Sequence, residues 1–477
     1  MVFSSVVFLF YFLPLFFLAF YLFGRSKGVL LAFSLVFYAW GEPTYILLML
    51  LSIGMNHQFG LAIEKAHATG RDRMWLSLGI AANLAPLVLF KYSTFLVGIF
   101  TQDLFSLFGK APLLVKVPHL VLPLGISFYT FHALSYLIDV YRKDVKAERS
   151  LRDLTVYISM FPQLVAGPII RYKTIAGELH HPVMSTHRTA RGIRIFVIGL
   201  AQKVLIANTV AASADAIFAL PAEHLTTPLA WLGISCYTLQ IYFDFGGYSS
   251  MAIGLGLMIG FTFPLNFRYP YVARSMTDFW RRWHISLSSW FRDYLYIPLG
   301  GNRVSPWRTY VNLFVVFLLC GIWHGAAWTF VVWGLLHGGY LVIERLGMGR
   351  LLERLPVVLR HAYVLLCVMV AWVFFRADSL DQALHYLKAM AGFGASAVAA
   401  PLMSRYLGLD VMLAIAAGLL AAGPHGAAIA VWVGDRLSVG RLRLGPSLGL
   451  VGLMGLLLLA TMSLAGGAYN PFIYFRF

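Results

Sequence analysis

Long apolar stretches, separated by short polar and basic segments, run along the whole chain. A membrane-spanning helix needs about 20 mostly apolar residues, and the sequence holds twelve candidate spans: Val2–Phe23, Leu30–Trp40, Tyr45–Met55, Met74–Phe90, Pro123–Val140, Ile193–Ala214, Pro228–Phe245, Trp307–Ile322, Ala326–Leu346, Val357–Phe375, Val411–Val433 and Leu448–Leu464. Leu30–Trp40 is too short and Leu154–Ile170 too polar to cross a bilayer alone, so protein or a wet cavity must shield them. We expect the first span to be retained, because it lacks a basic leader and a cleavage site. The pattern predicts an all-α polytopic membrane protein with a single domain, residues 1–477.

Composition supports a membrane protein, since 60% of the residues are hydrophobic and only 12% are charged. Ordinary globular domains carry roughly twice that charged fraction. The net charge of +17 resides mainly in short loops between apolar stretches, which is typical of topology signals and not of nucleic-acid binding. The predicted partner of this surface is therefore the lipid bilayer. If the basic loops face the cytoplasm, the N-terminus and the segment Arg376–Asp410 lie outside; the assignment is least constrained between Phe90 and Leu122.

His324 is the most informative single residue, because it lies between the apolar stretches Trp307–Ile322 and Ala326–Leu346. A titratable group at membrane depth costs several kcal/mol unless it is paired or used. Imidazole is also the usual group for moving a proton near neutral pH. The structural alternative is a histidine that turns a tight helical hairpin and bonds a backbone carbonyl.

The segment Thr277–Tyr294 contains a second buried histidine. At 100° per residue it predicts one amphipathic helix at the membrane surface, whose polar face holds Asp278, Arg281, Arg282, Ser289, Arg292 and Asp293. The apolar face holds Trp280, Trp283, His284, Leu287, Trp290, Phe291 and Tyr294. An interfacial anchor explains the tryptophans and arginines, but it does not explain His284. Two buried histidines, each beside a tryptophan, favour a functional role.

Asp244 is a costly residue in an otherwise apolar span. It can orient a histidine, bond a backbone group, or cap a helix that begins near Ser249, and we favour a structural cap or network role. The small-residue pairs Gly256/Gly260 and Gly334/Gly338 predict close helix packing.

Several kinds of chemistry lack their sequence markers. The chain has no GxSxG, P-loop or HExxH motif, so serine acyl-enzyme chemistry, nucleotide hydrolysis and zinc proteolysis are disfavoured. Its three cysteines form no CxxC pair and are expected to fill the core. No metal site is predicted, because one polar loop holds the only suggestive cluster and that cluster lacks ligand spacing: Glu178, His180, His181 and His187.

Two segments, WRRWHISLSSWFRDYLYIPLGGNR at Trp280–Arg303 and GIWHGAAWTFVVWGLLHG at Gly321–Gly338, resemble the membrane-bound O-acyltransferase superfamily. Within it, the chain is most similar to the bacterial alginate O-acetyltransferase branch. The similarity extends over further stretches: Leu122–Arg142, FPQLVAGPIIRY at Phe161–Tyr172, YFDFGGYS at Tyr242–Ser249, FRADS at Phe375–Ser379 and NPFIYFRF at Asn470–Phe477. His132 is a departure, because many relatives have glutamine at that position; it replaces one hydrogen-bonding side chain with another.

This resemblance implies a ring of about 11–12 membrane helices, with re-entrant or interfacial helices, around a central funnel or tunnel. It implies that His324 is the catalytic histidine and His284 a second functional histidine. The family moves an acyl group from a cytoplasmic thioester, here acetyl-CoA or another acetyl thioester, to a hydroxyl, and no cofactor is permanently bound. In this branch, periplasmic acetyltransferases or acetyl carriers are the expected partners, and they modify an exported polysaccharide. The expected location is the bacterial inner membrane.

The chemistry of the residues agrees with this assignment. Acyl transfer from a thioester needs a base for the incoming hydroxyl and an acid for the departing thiol, and a buried neutral imidazole suits the base. We assign that role to His324, and to His284 either orientation of the donor or stabilisation of the oxyanion. The predicted donor-binding residues are Arg281, Arg282 and Arg292 for the phosphates, together with Trp323 and Asp244.

Three alternatives remain open from the sequence. A transporter or channel is disfavoured, because the chain shows no internal repeat. A non-catalytic membrane scaffold of a polysaccharide-export complex would need the chain but not His324. Within the superfamily, a D-alanyl or lipid acyltransferase is the nearest rival. The sequence identifies neither the polysaccharide nor whether the acetyl group passes directly to sugar or through a partner.

Overall fold

Helices make up most of the described chain. The computed structural model describes residues 2–109, 115, 120–395, 403–424, 426, 438–439, 442–467 and 469–473. The first half of the chain forms α1 Leu13–Leu22, α2 Lys27–Gly41, α3 Ile46–Ala66, α4 Asp72–Leu87, α5 Ser93–Gly98, α6 Leu104–Leu107, α7 Ile126–Tyr141, α8 Leu151–Ser159, α9 Phe161–Leu164, α10 Tyr172–His180, α11 Thr186–Ala201 and α12 Asn208–Phe218. The second half forms α13 Thr227–Met258, α14 Met276–Trp280, α15 Ile285–Phe291, α16 Pro306–His324, α17 Trp328–Ile343, α18 Gly349–Arg354, α19 Val357–Arg376, α20 Leu380–Lys388, α21 Leu409–Ala421 and α22 Leu444–Ala465.

Shorter turns connect or extend these helices. π-Helical turns occupy Phe8–Phe12, Val88–Tyr92, Ile99–Asp103, Gln202–Ala207, Arg292–Tyr296, Glu344–Met348 and Ala389–Phe393. 3₁₀ turns occupy Ala222–His224, Pro270–Val272 and Met403–Arg405. In the described residues, the only strands are β1 Ser438–Val439 and β2 Leu442–Arg443, which pair antiparallel. The prediction of an all-α protein is confirmed.

In the described residues, each of the twelve predicted spans overlaps a helix. Within the described ranges, six helices are long and apolar enough to cross a membrane by length and composition: Ile46–Ala66, Asp72–Ser106, Thr186–Phe218, Pro306–His324, Val357–Arg376 and Ser447–Ala465. The chain is a multi-pass membrane protein. Part of the predicted span Val411–Val433, and part of the topology between Phe90 and Leu122, lie outside the described residues.

The polar segment Leu154–Ile170 is shielded by protein, as expected. Every residue from 153 to 170 is buried, across α8, α9 and the extended chain that follows them. Side chains satisfy its backbone, because Ser34 Oγ accepts from Phe161 N at 3.1 Å and the Tyr157 hydroxyl donates to Ile170 O at 2.8 Å. Irregular backbone without such partners is not tolerated at membrane depth.

The 32-residue helix α13 lies at the centre of the fold and packs closely against α11. It begins at a Thr226 side-chain cap with Pro228 in its first turn, both usual helix-start signals. Glycines face each other along the contact. A Cβ on Gly192 would lie 2.6 Å from Gly254 O, and a Cβ on Gly199 would lie 2.6 Å from Gly247 O. These small residues let the two backbones approach closely.

Asp244 does not cap a helix, so that part of its prediction is wrong. The helix α13 continues through this position to Met258, because the residues that follow Asp244 are small or apolar and keep their helical bonds. Asp244 instead pairs with Lys203 at 2.6 Å, and both side chains are at most 2% exposed. It also accepts from Ile473 N at 2.7 Å. The network role, which was the other structural alternative, matches these contacts.

This buried pair also connects the two ends of the described chain. Lys203 donates to Asn208 Oδ1 at 2.6 Å and to Pro471 O. Asn470 accepts from Asn208 Nδ2 at 3.1 Å and donates to Ser4 O at 2.8 Å. The segment that precedes Ile473 is therefore held in the interior by polar contacts and not only by apolar packing.

We predict that Asp244→Asn lowers the free energy of unfolding by about 3–5 kcal/mol, because it leaves the buried Lys203 ammonium without its counter-charge. Thermal or denaturant unfolding of the purified protein in detergent measures the change. The control is Asp144→Asn, whose pair with Lys173 at 2.8 Å is partly exposed, and for which we expect about 0–1 kcal/mol. Equal effects of the two substitutions would contradict this account of the buried pair.

Candidate active site

His324 is the last residue of α16, at the turn of a close helical hairpin with α17. Glycines set the spacing of this hairpin. A Cβ on Gly321 would lie 2.3 Å from Phe330 O, and a Cβ on Gly334 would lie 2.3 Å from Phe317 O. The close packing predicted at Gly334 is confirmed. The hairpin therefore holds the His324 backbone at a fixed place where α16 ends.

The imidazole of His324 is enclosed by aromatic rings. Its centroid lies 4.7 Å from that of Trp323, 4.9 Å from that of Trp333 and 5.1 Å from that of Phe375. The side chain is buried, and its Nδ1 has no hydrogen-bond partner within the described ranges. The structural alternative required a bond to a backbone carbonyl, and Nδ1 makes none there.

The segment predicted as one amphipathic helix is broken at His284, so the prediction of a continuous helix is wrong. Helix α14 ends at Trp280, α15 begins at Ile285, and His284 between them has φ 43° and ψ 54°. A non-glycine residue in this left-handed region needs surrounding contacts to hold it. The predicted apolar face is nevertheless buried at every position, His284 included.

Asn266 supplies the contacts that hold this break. Its Oδ1 accepts from Ser286 N at 3.2 Å, from Ser286 Oγ at 2.9 Å and from His284 Nδ1 at 3.1 Å, and its backbone oxygen accepts from Ile285 N. Because a backbone N–H can only donate, the accepting atom of Asn266 is its oxygen. Nδ1 of His284 must therefore carry the proton, and Nε2 presents a lone pair. Nothing in the sequence distinguished Asn266 as a functional residue.

The structure brings His284 and His324 to one enclosed cavity. The cavity measures about 10 Å³, which is close to the space that one water molecule needs. Its other walls are apolar or aromatic: Ile241, Phe245, Trp283, Trp333, Trp372, Phe375 and Ile473. Two imidazoles thus share a space from which bulk water is excluded.

A separate and larger cleft measures about 410 Å³. Arg281, Arg292 and Arg345 line it, and Ile285, the residue after His284, lines it too. Its other lining side chains are largely apolar and include Leu313, Val316, Phe317, Cys320 and Leu341. The cleft therefore combines cationic groups with an apolar wall.

The arginines of this cleft differ in their partners. Arg281 is exposed and makes no side-chain hydrogen bond or ion pair with any residue that the structure describes. Arg292 bonds Asp293 at 2.6 Å, and Arg171 bonds the same carboxylate at 2.6 Å. Burial opposes ionisation of Asp293, but these two bonds prevail and hold its pKa below the ordinary value. Arg281 is consequently the arginine most available to a ligand.

The other predicted donor-binding residues lie elsewhere. Arg282 bonds Asp278 Oδ1 at 2.8 Å and does not line the cleft. Trp323 lines a separate, almost wholly apolar cavity of about 520 Å³, and Asp244 faces Lys203. Of the five predicted donor-binding residues, the structure gathers Arg281 and Arg292 in one cleft.

Three further buried histidines of the described chain lie outside the small cavity: His57, His132 and His337. His337 accepts from Trp280 Nε1 at 3.2 Å and lies 4.7 Å from the Trp333 ring, which also contacts His324. His337 lies in a predicted apolar span, and this position could have identified it as a candidate functional residue from the sequence. His132 accepts from Ile170 N at 3.3 Å, which is a structural role for the departure noted in the sequence.

Comparison with known proteins identifies relatives of the whole chain. The model of MBOAT, the membrane-bound O-acyltransferase family, matches residues 148–377. A Pseudomonas aeruginosa protein named probable alginate O-acetylase is 47% identical over 397 residues, which cover 83% of this chain and 75% of the relative. A Pseudomonas putida protein of the same name is 42% identical over the full length of both chains. The peptidoglycan O-acetyltransferase of Helicobacter pylori is 37% identical over 82% of this chain and 80% of its own.

We predict that Gly334→Ala destabilises the protein by about 1–3 kcal/mol, because the new methyl group meets a backbone carbonyl of α16 that cannot move independently. The matched control is Gly339→Ala on the same helix, where a Cβ has nothing within 4 Å. There we expect no loss or a slight gain of stability. Thermal unfolding in detergent compares the two variants, and equal melting temperatures would show that the α16–α17 contact is not tight.

Proposed function

This chain belongs to the membrane-bound O-acyltransferase family, and from that membership we propose that it is an O-acetyltransferase that moves acetyl groups from a cytoplasmic thioester toward an exported polysaccharide. Acyl transfer is the activity that the family and its named relatives share. The observation that carries the proposal is the enclosed cavity lined by both His284 and His324. We place the protein in the bacterial inner membrane, with its basic loops and the arginine-lined cleft on the cytoplasmic side.

In the proposed reaction, His324 removes the proton of the acceptor hydroxyl. The hydroxyl oxygen attacks the thioester carbonyl carbon and forms a tetrahedral oxyanion. Collapse of this intermediate breaks the carbon–sulfur bond, and the thiolate takes the proton back from His324. The products are an O-acetyl ester and a free thiol, so His324 serves as base and then as acid. Exclusion of water from the cavity protects the thioester from hydrolysis.

His284 is proposed to orient the acetyl donor. Its Nδ1 proton is donated to Asn266, so Nε2 accepts a hydrogen bond. Stabilisation of the oxyanion, the other role considered for His284, needs a donor, and Nε2 lacks a proton in this tautomer. Asn266 thus selects between the two roles by fixing where the proton resides.

The arginine-lined cleft is proposed to bind the acetyl donor. Guanidinium groups bind phosphate through paired hydrogen bonds, and Arg281 has its donors available in this cleft. The apolar wall suits the long arm that joins the phosphates of acetyl-CoA to its thioester. Because Ile285 lines the cleft and His284 lines the cavity, a donor in the cleft lies next to the proposed reaction site.

The acceptor side of the proposal rests on the relatives, which are named for alginate and for peptidoglycan. We propose an exported polysaccharide of this chemical kind as the final acceptor. Periplasmic acetyltransferases or acetyl carriers are the proposed partners that complete the transfer.

We predict that His324→Ala reduces alkali-labile acetate on secreted polysaccharide and cell wall to the level of a deletion strain. The assay complements that strain with each variant at matched membrane levels. His385→Ala is the control, because this exposed histidine on α20 bonds only Asp381 O among the described residues; it should restore acetate fully.

Chromatography of the released acid separates the competing functions. Acetate supports the proposal, whereas alkali-labile D-alanine or a longer acyl chain would identify a different member of the family. Full restoration by His324→Ala would make the chain a scaffold and overturn the catalytic assignment.

We predict that Arg281→Gln raises the KM for acetyl-CoA about tenfold or more, because a charge-assisted hydrogen bond contributes roughly 1.5–3 kcal/mol. The kcat should change little, since the phosphates are remote from the reacting carbon. Arg282→Gln is the matched neighbour and should leave KM within about twofold. Acetyl transfer by inverted membrane vesicles with labelled acetyl-CoA measures both constants. A larger KM effect at Arg282 would place the donor outside the cleft.

A further inference from the structure

Lys91 is a half-buried cation in the apolar helix Asp72–Ser106, and its contacts are unusual. Its Nζ donates to Trp323 O at 2.6 Å and to His324 O at 3.1 Å. It also lies 5.9 Å from the centre of the Trp323 ring. Among the residues that the structure describes, no carboxylate pairs with it. Lys91 thus directs its charge to the backbone of the proposed catalytic residue.

The adjacent residue makes the same kind of contact. The Tyr92 hydroxyl donates to Ile322 O at 2.9 Å. Together, Lys91 and Tyr92 bond three successive carbonyls, those of residues 322 to 324, where α16 ends. Both come from the π-helical turn Val88–Tyr92. Two neighbouring side chains from a distant part of the sequence therefore complete the end of the helix that carries His324.

The C-terminal end of α16 has carbonyl groups that require hydrogen-bond donors from outside the helix. The last four carbonyls of a helix have no partner within it, and in an apolar surrounding no bulk water replaces one. The helix dipole also places partial negative charge at this end, which favours a cation. Tyr92 supplies a hydrogen-bond donor without charge. Only Lys91 supplies both a donor and a cation, and it contacts the His324 carbonyl itself.

We propose that Lys91 is a positioning residue of the acetyl transfer reaction, which holds the C-terminal end of α16 and thereby fixes the His324 imidazole in the cavity. This inference rests on the proposed function for its kinetic part. Without Lys91, α16 can fray by one residue, and His324 is that residue. Displacement of a catalytic group by about 1 Å costs up to about 100-fold in rate.

The kinetic test compares Lys91→Met, Lys91→Arg and wild type in inverted membrane vesicles with labelled acetyl-CoA. Lys91→Met keeps the apolar stem and removes the charge. It should lower kcat about 10- to 100-fold with the KM for acetyl-CoA within about twofold. Lys91→Arg keeps the cation and should recover most of kcat. Lys65→Met, a change at an exposed lysine near the end of α3, should match wild type.

A second readout does not depend on activity. In protein labelled with ¹⁵N-histidine and reconstituted in lipid, the signal lost in His324→Gln identifies His324. That signal should shift or split in Lys91→Met and keep its position in Lys91→Arg and Lys65→Met. Tyr92→Phe should move it less than Lys91→Met, because Tyr92 bonds the carbonyl two residues earlier.

These two readouts separate the possible failures. An unmoved His324 signal in Lys91→Met, with kcat near wild type or with a loss that follows the amount of folded protein, would overturn the positioning role. If wild-type vesicles transfer no acetyl, the proposed function fails, and the His324 signal alone decides the inference about Lys91.

Discussion

Polar groups that cannot reach water determine how the centre of this protein is built. The helices break at His284 and at His324, and each break exposes backbone groups in an apolar interior where no solvent replaces lost hydrogen bonds. Side chains from other parts of the chain supply the partners: Asn266 at the first break, Lys91 and Tyr92 at the second. Glu344 similarly accepts from Thr277 N at 3.0 Å near the start of α14. These contacts stabilise the irregular backbone that surrounds the cavity.

The same contacts determine the chemistry that the cavity can perform. Asn266 holds His284 in a left-handed conformation and fixes its tautomer, and the glycine-packed hairpin with Lys91 holds the end of α16. Rings of tryptophan and phenylalanine then exclude water from both imidazoles. A base next to a thioester is useful only if hydrolysis is suppressed. In the proposed reaction, the donor enters through the arginine-lined cleft and reacts in this enclosure.

The sequence predicted what depends on local pattern. The apolar runs placed helices in the described part of every predicted span, and the period of 3.6 residues identified the buried face of Thr277–Tyr294. It also led to His324, an ionisable residue in an apolar run. It did not predict the break at His284, because Asn266 and not local propensity stabilises that backbone. No local sequence pattern indicates the partner of Asp244. The same holds for the tertiary contact of Lys91 with His324, 233 positions away. Motif resemblance supplied the family, but not which arginines share a cleft.

The most direct test of the account is a cryo-EM structure with a non-hydrolysable acetyl-CoA analogue, in which a methylene replaces the thioester sulfur. We expect the analogue's phosphates to contact Arg281, its arm to follow the apolar wall of the cleft, and its carbonyl carbon to enter the cavity between His284 and His324. An analogue whose carbonyl lies away from both histidines, for example in the apolar cavity lined by Trp323, would contradict the proposed reaction site.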